Sequence, residues 1–317
     1  MVDDLARRTD RTCLMLDRGD VKPGSTALML LDHAVDYAGL FPPASRSLND
    51  AARRYGEHRR GADEWMLGRF VLPASRLDEL SGYTKGFGSN EPWRLSVLAA
   101  TGDLGSIDRF VQMRGTGAVV DAIETKAATV DEVIAFPTAA IPHAPDGDAV
   151  AVYVEVPVVD DPTGLVRAIK SRGLRAKVRT GGITPDAFPT AAQLARFLSA
   201  CSAADVMFKA TAGLHQAVSG NYPLTYEAGS ACAPMFGFLN LFLATTLLGS
   251  GLLEHEAIML LEERDVRAFN FGGDAISWRG HVAAAGSIRD MRRRLGWSFG
   301  SCAFSEPVNA LRSMGLL

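Results

Sequence analysis

The chain has 317 residues, more than a typical single domain but within the range of one large α/β barrel. Hydrophobic residues make up 47% and charged residues 22%, so a sizeable core can form and disorder over most of the length is excluded. A formal charge of −3 and an isoelectric point near 6.1 provide no general attraction for nucleic acid or an anionic membrane.

The basic clusters Arg53-Arg54, Arg59-Arg60 and Arg292-Arg293-Arg294 fit solvated helix faces. Cys13, Cys201, Cys232 and Cys302 are scattered without Cys-x-x-Cys spacing, which suggests neither a disulfide framework nor a zinc site and agrees with a reducing cytoplasm. The N-terminus carries Asp3, Asp4, Arg7, Arg8 and Asp10 where an export signal needs an apolar region. Between Glu227 and Glu254 the chain is uncharged, but Pro234, Asn240, Thr245 and Thr246 interrupt it, which predicts a buried helix and not a membrane span.

In chain order, residues 1–24 read as a polar arm. A first strand is expected at Ala27 to Asp32, followed by a loop rich in Gly, Pro and aromatics from His33 to Ala44. Asp50 to Arg60 suits a helix, Trp65 to Leu72 a second strand, and Leu77 to Leu80 a short helix before a surface loop from Gly82 to Pro92. Strand and helix then alternate: Arg94 to Ala99, Leu104 to Gln112, Ala118 to Glu124, Val130 to Ala135. A loop from Pro137 to Gly147 leads into Val150 to Pro157 and the helix Pro162 to Lys170.

Strands six and seven are Leu174 to Thr180 and Val206 to Thr211, joined by a helix at Ala191 to Ser199. Beyond His215 the pattern changes to helices at Met235 to Leu248 and His255 to Glu263. A hairpin follows around Gly272-Gly273-Asp274, then a helix at Ser287 to Leu295. Trp297 to Phe304 is the eighth strand and Pro307 to Met314 the closing helix. Eight strands with helical material after each predict a (β/α)8 barrel, TIM-like, over residues 25–317, with a helical and hairpin insertion between strands seven and eight. An open doubly wound sheet is the alternative, but no Gly-x-Gly-x-x-Gly follows the first strand.

Strand side chains alternate between faces, so Tyr153 and Glu155, Lys177 and Arg179, and Lys209 and Thr211 share one inner surface. In a barrel the reactive face lies at the C-terminal strand ends. There Thr180, Gly181 and Gly182, together with Thr211 and Ser301, offer hydroxyls and close backbone approach to an anion beside Arg179, although a Gly-Gly pair also makes an ordinary turn. Asp36 and Tyr37, expected in the loop after strand one, can reach a substrate. Tyr37 is a candidate proton donor, and His215 a candidate acid or base at the mouth.

A lysine partly desolvated beside other cations favours its neutral amine, which attacks a carbonyl to form a Schiff base. The competing reading is a structural ion pair of Lys177 or Lys209 with Glu155. Phe-Lys-Ala-Thr-Ala-Gly at Phe208 to Gly213 resembles the Schiff-base strand of deoxyribose-phosphate aldolases. Lys177 with Arg179-Thr180-Gly181-Gly182 and Asp186-Ala187 is similar to that family's second lysine strand. The order of the two strands is reversed here. The resemblance implies a class I aldolase-like barrel in which Lys209 is the nucleophile and Lys177 tunes it, with the two roles exchangeable. Asp36 to Ala44 and Phe299 to Cys302 also resemble stretches of bacterial proteins of this length with no assigned activity, which implies one continuous domain whose first and last strand ends lie near the site.

Glu155 is the candidate general base, since burial raises its pKa while lysines lower it. Cys302 reads as a buried inert thiol. Asp32, His33, Asp36, Glu124 and Glu155 offer metal-ligand atoms without metal-ligand spacing, so no metal is expected, with Mg²⁺ as the alternative. The expected function is a lyase or aldolase acting on a small anionic carbonyl compound in the cytoplasm. The alternatives are a non-covalent, enolate-stabilising isomerase or lyase and a non-catalytic anion-binding barrel. The helix Met235 to Leu248 is the candidate homo-oligomer contact.

Overall fold

The computed structural model describes residues 25–84, 92–113, 115–144 and 149–317. The expected arm 1–24 with Cys13, most of the Gly82 to Pro92 loop, and residues 145–148 of the Pro137 to Gly147 loop lie outside the described residues.

Eight parallel strands close into a barrel. They are β1 (Val35–Tyr37), β2 (Leu67–Pro73), β3 (Trp93–Leu98), β4 (Ala118–Lys126), β5 (Ala151–Glu155), β6 (Arg175–Arg179) and β7 (Phe208–Thr211), completed by a strand at Ser298–Ser301. The last of these pairs with both β7 and β1, and β1 with β2, which seals the ring. Helices including Leu48–His58, Leu104–Gln112, Thr163–Ser171 and Ala191–Ala204 cover the outer face. Outward residues such as Phe70, Val97, Val154, Val178 and Phe208 are buried beneath them, and they form one continuous core.

The insertion between the last two barrel strands contains β8 (Gly220–Pro223) paired with β9 (Cys232–Met235), then helices Phe238–Leu248 and Glu254–Glu262. A three-stranded sheet follows, β10 (Phe269–Phe271), β11 (Ala275–Trp278) and β12 (His281–Ala284), and then helix Ala285–Leu295. The final barrel strand is therefore β13. The hairpin at Gly272-Gly273-Asp274 forms as expected, whereas β12 and the β8–β9 pair carry no clear alternation in sequence.

The uncharged helix Phe238–Leu248 is buried along its length. Phe238 stacks on Phe299 at 5.2 Å and Phe242 on Trp297 at 5.3 Å. Its polar residues are satisfied internally: Asn240 Nδ2 donates to the Leu260 and Glu263 carbonyls, and Thr245 and Thr246 donate back to Leu241 and Phe242. The helix is packed within the chain, so the expectation that it supplies an oligomer contact is corrected. Among the described residues no helix is long and apolar enough to cross a membrane.

The first strand is also corrected. Ser25–Leu31 is a helix, and β1 begins only at Val35. The run Ala27-Leu28-Met29-Leu30-Leu31 consists of strong helix formers without a β-branched residue, and Leu30 and Leu31 are fully buried in the core. Asp32 and His33 therefore precede β1 and lie at the N-terminal side of the barrel, opposite the face expected to carry chemistry.

Candidate active site

The inner surface of the barrel is polar, and alternation accounts for most of it. β5 turns Tyr153 and Glu155 inward, β6 turns Lys177, and β7 turns Lys209, as their mutual contacts show. Register aligns Glu155 with Lys177, Lys177 with Lys209, and Lys209 with Ser298 across four neighbouring strands. Two irregularities bring in further groups. The register slips between Leu95 and Ser96 on the β3–β4 pair, so Asp121 and Glu124, an odd number of residues apart, both face inward. A second slip, between β1 and β2, accompanies Gly68. A Cβ there would lie 2.3 Å from Asp36 Oδ1, so glycine leaves room for the Asp36 carboxylate.

Carboxylates and ammonium groups alternate through the upper layer. Lys209 Nζ lies 2.7 Å from Asp36 Oδ2 and 2.5 Å from Glu124 Oε1. Lys177 Nζ lies 2.7 Å from Glu124 Oε2 and 2.9 Å from Glu155 Oε2, and Lys126 reaches Glu155 Oε1 at 3.5 Å. Hydroxyls complete the shell: Ser96 donates to Glu124 at 2.6 Å and Ser298 to Asp36 at 3.0 Å, while the Arg69 backbone N–H donates to Asp36 at 2.7 Å. Lys209 is 1% exposed and Lys177 4%.

A lower layer consists of Arg69, Arg94, Asp121, Tyr153 and Arg175. Arg69 and Arg94 both bind Asp121, and their charges hold its carboxyl at about 2 against the upward push of burial. Arg69 and Arg175 lie 5.9 and 5.5 Å from the Tyr153 ring centre, and Arg175 donates to its hydroxyl at 3.1 Å. Burial pushes the Tyr153 phenol up, but the two guanidinium groups outweigh it and lower its pKa. Arg69 Nη1, 3.7 Å from Asp36 Oδ2, links the layers.

This electrostatic picture corrects the expectation of a cationic inner face that favours a neutral amine. Burial disfavours the charged form of Lys177, yet Glu124 and Glu155 more than offset it, and the pKa is raised. Glu124 and Glu155 respond in the opposite sense: burial pushes both up, and the lysines hold both below the usual carboxylate range. In the resting site Lys177 is an ammonium ion.

The other expected site residues divide into two groups. Arg179 lines a cavity of about 650 Å³ together with Glu155, Lys126 and Phe188, at the C-terminal ends of β4, β5 and β6. Gly181 and Gly182 lie beside it, and each has a packing reason: a Cβ at Gly181 would sit 2.4 Å from the Phe188 ring, and one at Gly182 2.6 Å from the Ala187 Cβ. Thr180 donates to the Ala212 carbonyl and tethers β6 to the end of β7. Thr211 Oγ1 faces the Cα of Gly300, 3.3 Å from where a Cβ would stand.

Tyr37 and Asp36 belong to a strand and not to a loop, and they point to opposite faces. Asp36 enters the lysine layer. Tyr37 packs outside the barrel against Tyr55 and Phe70, where burial raises its pKa to about 12, so it is remote from the lysines. Ser301 donates to the Ala303 carbonyl at 3.1 Å. His215 Nδ1 lies 2.8 Å from Glu306 Oε2, in a rim cluster where Tyr226 bonds the Cys302 thiol at 3.3 Å. Burial raises the Cys302 pKa, which keeps the thiol protonated.

Ser96, Ser298, Arg69, Arg94 and Asp121 were not expected in the site. Among the described residues no group of three or more His, Cys, Asp or Glu is arranged to hold a metal ion, and Asp36, Glu124 and Glu155 each face an ammonium group.

Fold and site together define an α/β barrel with a buried lysine pair embedded in carboxylates near the C-terminal strand ends. No protein-family model matches the chain, and no curated protein matches it significantly. Among solved structures it is similar to deoxyribose phosphate aldolase from Aeropyrum pernix, which was described as having a unique tetrameric structure. The identity is 16% and the TM-score 0.42, over 61% of this chain and 85% of that one.

Proposed function

We propose that the protein is a lyase of aldolase type that makes or breaks a carbon–carbon bond of a carbonyl compound through a lysine Schiff base. The observation that carries this reading is the shared carboxylate: Glu124 joins Lys177 to Lys209, and Glu155 joins Lys177 to a solvent-facing cavity. Lys177 is assigned as the nucleophile and Lys209 as its buried partner, the exchange of roles that the motif resemblance leaves open. Lys209 is the more deeply enclosed of the two, and its contacts are Asp36, Glu124 and Ser96.

In this reading an incoming carbonyl compound displaces solvent at Glu155, and Lys177 passes a proton to that carboxylate. The freed amine attacks the carbonyl carbon, Glu155 returns its proton to the resulting carbinolamine hydroxyl, and loss of that group as water leaves an iminium ion. The bond between the α and β carbons then breaks. Its electron pair enters the iminium to give an enamine, and Glu155, once more a carboxylate, accepts the proton of the β-hydroxyl. Protonation of the enamine and hydrolysis release the second product and restore the amine. Arg179 and Lys126 hold an anionic group of the substrate.

The raised pKa of Lys177 supports a second reading, in which its ammonium group stabilises an enolate without a covalent bond. Borohydride reduction in the presence of a pool of small aldehydes and oxo acids separates the two. A stable mass increment on the intact protein supports the covalent route. A folded protein that turns over substrate but takes no increment supports the enolate route.

A further inference from the structure

The cavity beside Glu155 has a shape and lining that bear on what enters it. Its charged residues are Lys126 and Arg179 on one side of the balance and Glu155, Glu132 and Asp186 on the other. A phosphate dianion would enter an environment with no excess of positive charge, whereas a single carboxylate can pair with Arg179 alone. The rest of the wall is largely apolar, with Val156, Val158, Val159, Phe188 and Pro189.

Two apolar side chains on the segments that carry cavity residues are left in water. Val159, which lines the cavity, is 73% exposed, and Ile183, in the segment between the cavity residues Arg179 and Asp186, is 48% exposed. Val159 follows β5, whose last inward residue is Glu155, and Ile183 follows β6, which ends at Arg179. A volume of about 650 Å³ is several times that of a three-carbon oxo acid.

We propose that the cavity selects a 2-oxo acid carrying an apolar arm, branched or aromatic, over a compact or phosphorylated carbonyl compound. The carboxylate pairs with Arg179, the keto carbon faces Lys177 past Glu155, and the arm lies along Val158, Val159 and Phe188. This inference rests on the Schiff-base reading for the position of the keto carbon, but the apolar preference is measurable without it.

The test is borohydride trapping of the full-length protein with pyruvate, 4-methyl-2-oxopentanoate and phenylpyruvate, followed by intact mass. The apolar-armed acids are expected to give half-maximal labelling at a concentration about tenfold lower than pyruvate, the scale on which a hydrophobic pocket discriminates. Val159→Asp, at an exposed position, is expected to remove most of that preference, and Phe188→Leu part of it. Equal or better labelling by pyruvate, or a preference unchanged in Val159→Asp, overturns the inference. If none of the three labels the protein, the Schiff-base reading fails, and equilibrium dialysis of the same acids decides the cavity. Tighter binding of phenylpyruvate than of pyruvate upholds the apolar preference, and equal or absent binding overturns it.

Discussion

Lys177 and Lys209 hold the two oxygens of one carboxylate, Oε2 and Oε1 of Glu124, at 2.7 and 2.5 Å. Neither lysine can change its charge without changing the field at the other. A buried anion shared in this way is costly to remove, because both cations lose a counter-charge that water cannot replace. Glu124→Gln keeps the shape and deletes the charge. It is expected to destabilise the fold by about 3–5 kcal/mol, the usual cost of breaking a buried ion pair by removing one partner, although Lys177 keeps Glu155 and Lys209 keeps Asp36. Urea unfolding of the variant against wild type measures it, and a loss well under 1 kcal/mol would show that the network adds little.

The pH dependence of stability follows from the directions of the shifts. Glu124, Glu155 and Asp121 are held below their ordinary values, so their contribution is complete above the usual carboxylate range and is lost as pH falls through their lowered pKa values. Lys177 is raised, so its contribution is complete below the ordinary lysine pKa and is lost as pH rises beyond it. Melting temperature is therefore expected to be level from about pH 7 to about pH 9 and to fall at both ends, the acid fall beginning near the ordinary histidine pKa because burial of His58 opposes its protonation. A maximum confined to one side of that plateau would contradict the assigned shifts.

Catalysis through a Lys177 amine, as proposed, would have its own pH signature. With the ammonium favoured at neutral pH, kcat/KM is expected to climb through the alkaline range. Glu155→Gln removes one of the two charges that raise the Lys177 pKa, so the climb moves to lower pH even as proton transfer slows and kcat falls. A pH profile that does not move in this variant would detach Glu155 from Lys177 in function.

The close approach of Gly68 to Asp36 is testable by a single methyl group. Gly68→Ala places a carbon within 2.3 Å of Asp36 Oδ1 and forces that carboxylate away from Lys209. Overpacking of this kind costs about 1–3 kcal/mol, seen as a lower unfolding midpoint, together with a loss of turnover. Retained activity at wild-type level would mean that the Asp36–Lys209 contact does not govern the reaction.

Much of the barrel was legible because β5, β6 and β7 alternate cleanly, and the same alternation placed Glu155, Lys177 and Lys209 on one surface. What was missed has a local cause in each case. β1 is only three residues long and follows a run of helix formers, so the sequence pattern places both Asp36 and Tyr37 in a loop. Asp121 and Glu124 cannot both face inward under a strict period of two, and the bulge that permits it leaves no residue signature. Arg69 sits inside an apolar strand, and Ser96 and Ser298 are ordinary hydroxyls whose role exists only once the ring has closed.

Under the proposed mechanism Lys177, and not its partner, forms the covalent intermediate. Peptide mapping of the borohydride-reduced adduct identifies the lysine, with Lys177→Ala and Lys209→Ala as parallel samples. The mass increment is expected on the peptide containing Lys177, with its absence in Lys177→Ala and a weakened but detectable adduct in Lys209→Ala. An increment on the Lys209 peptide, surviving in Lys177→Ala, would contradict the assignment and return the nucleophile to the strand that first suggested it.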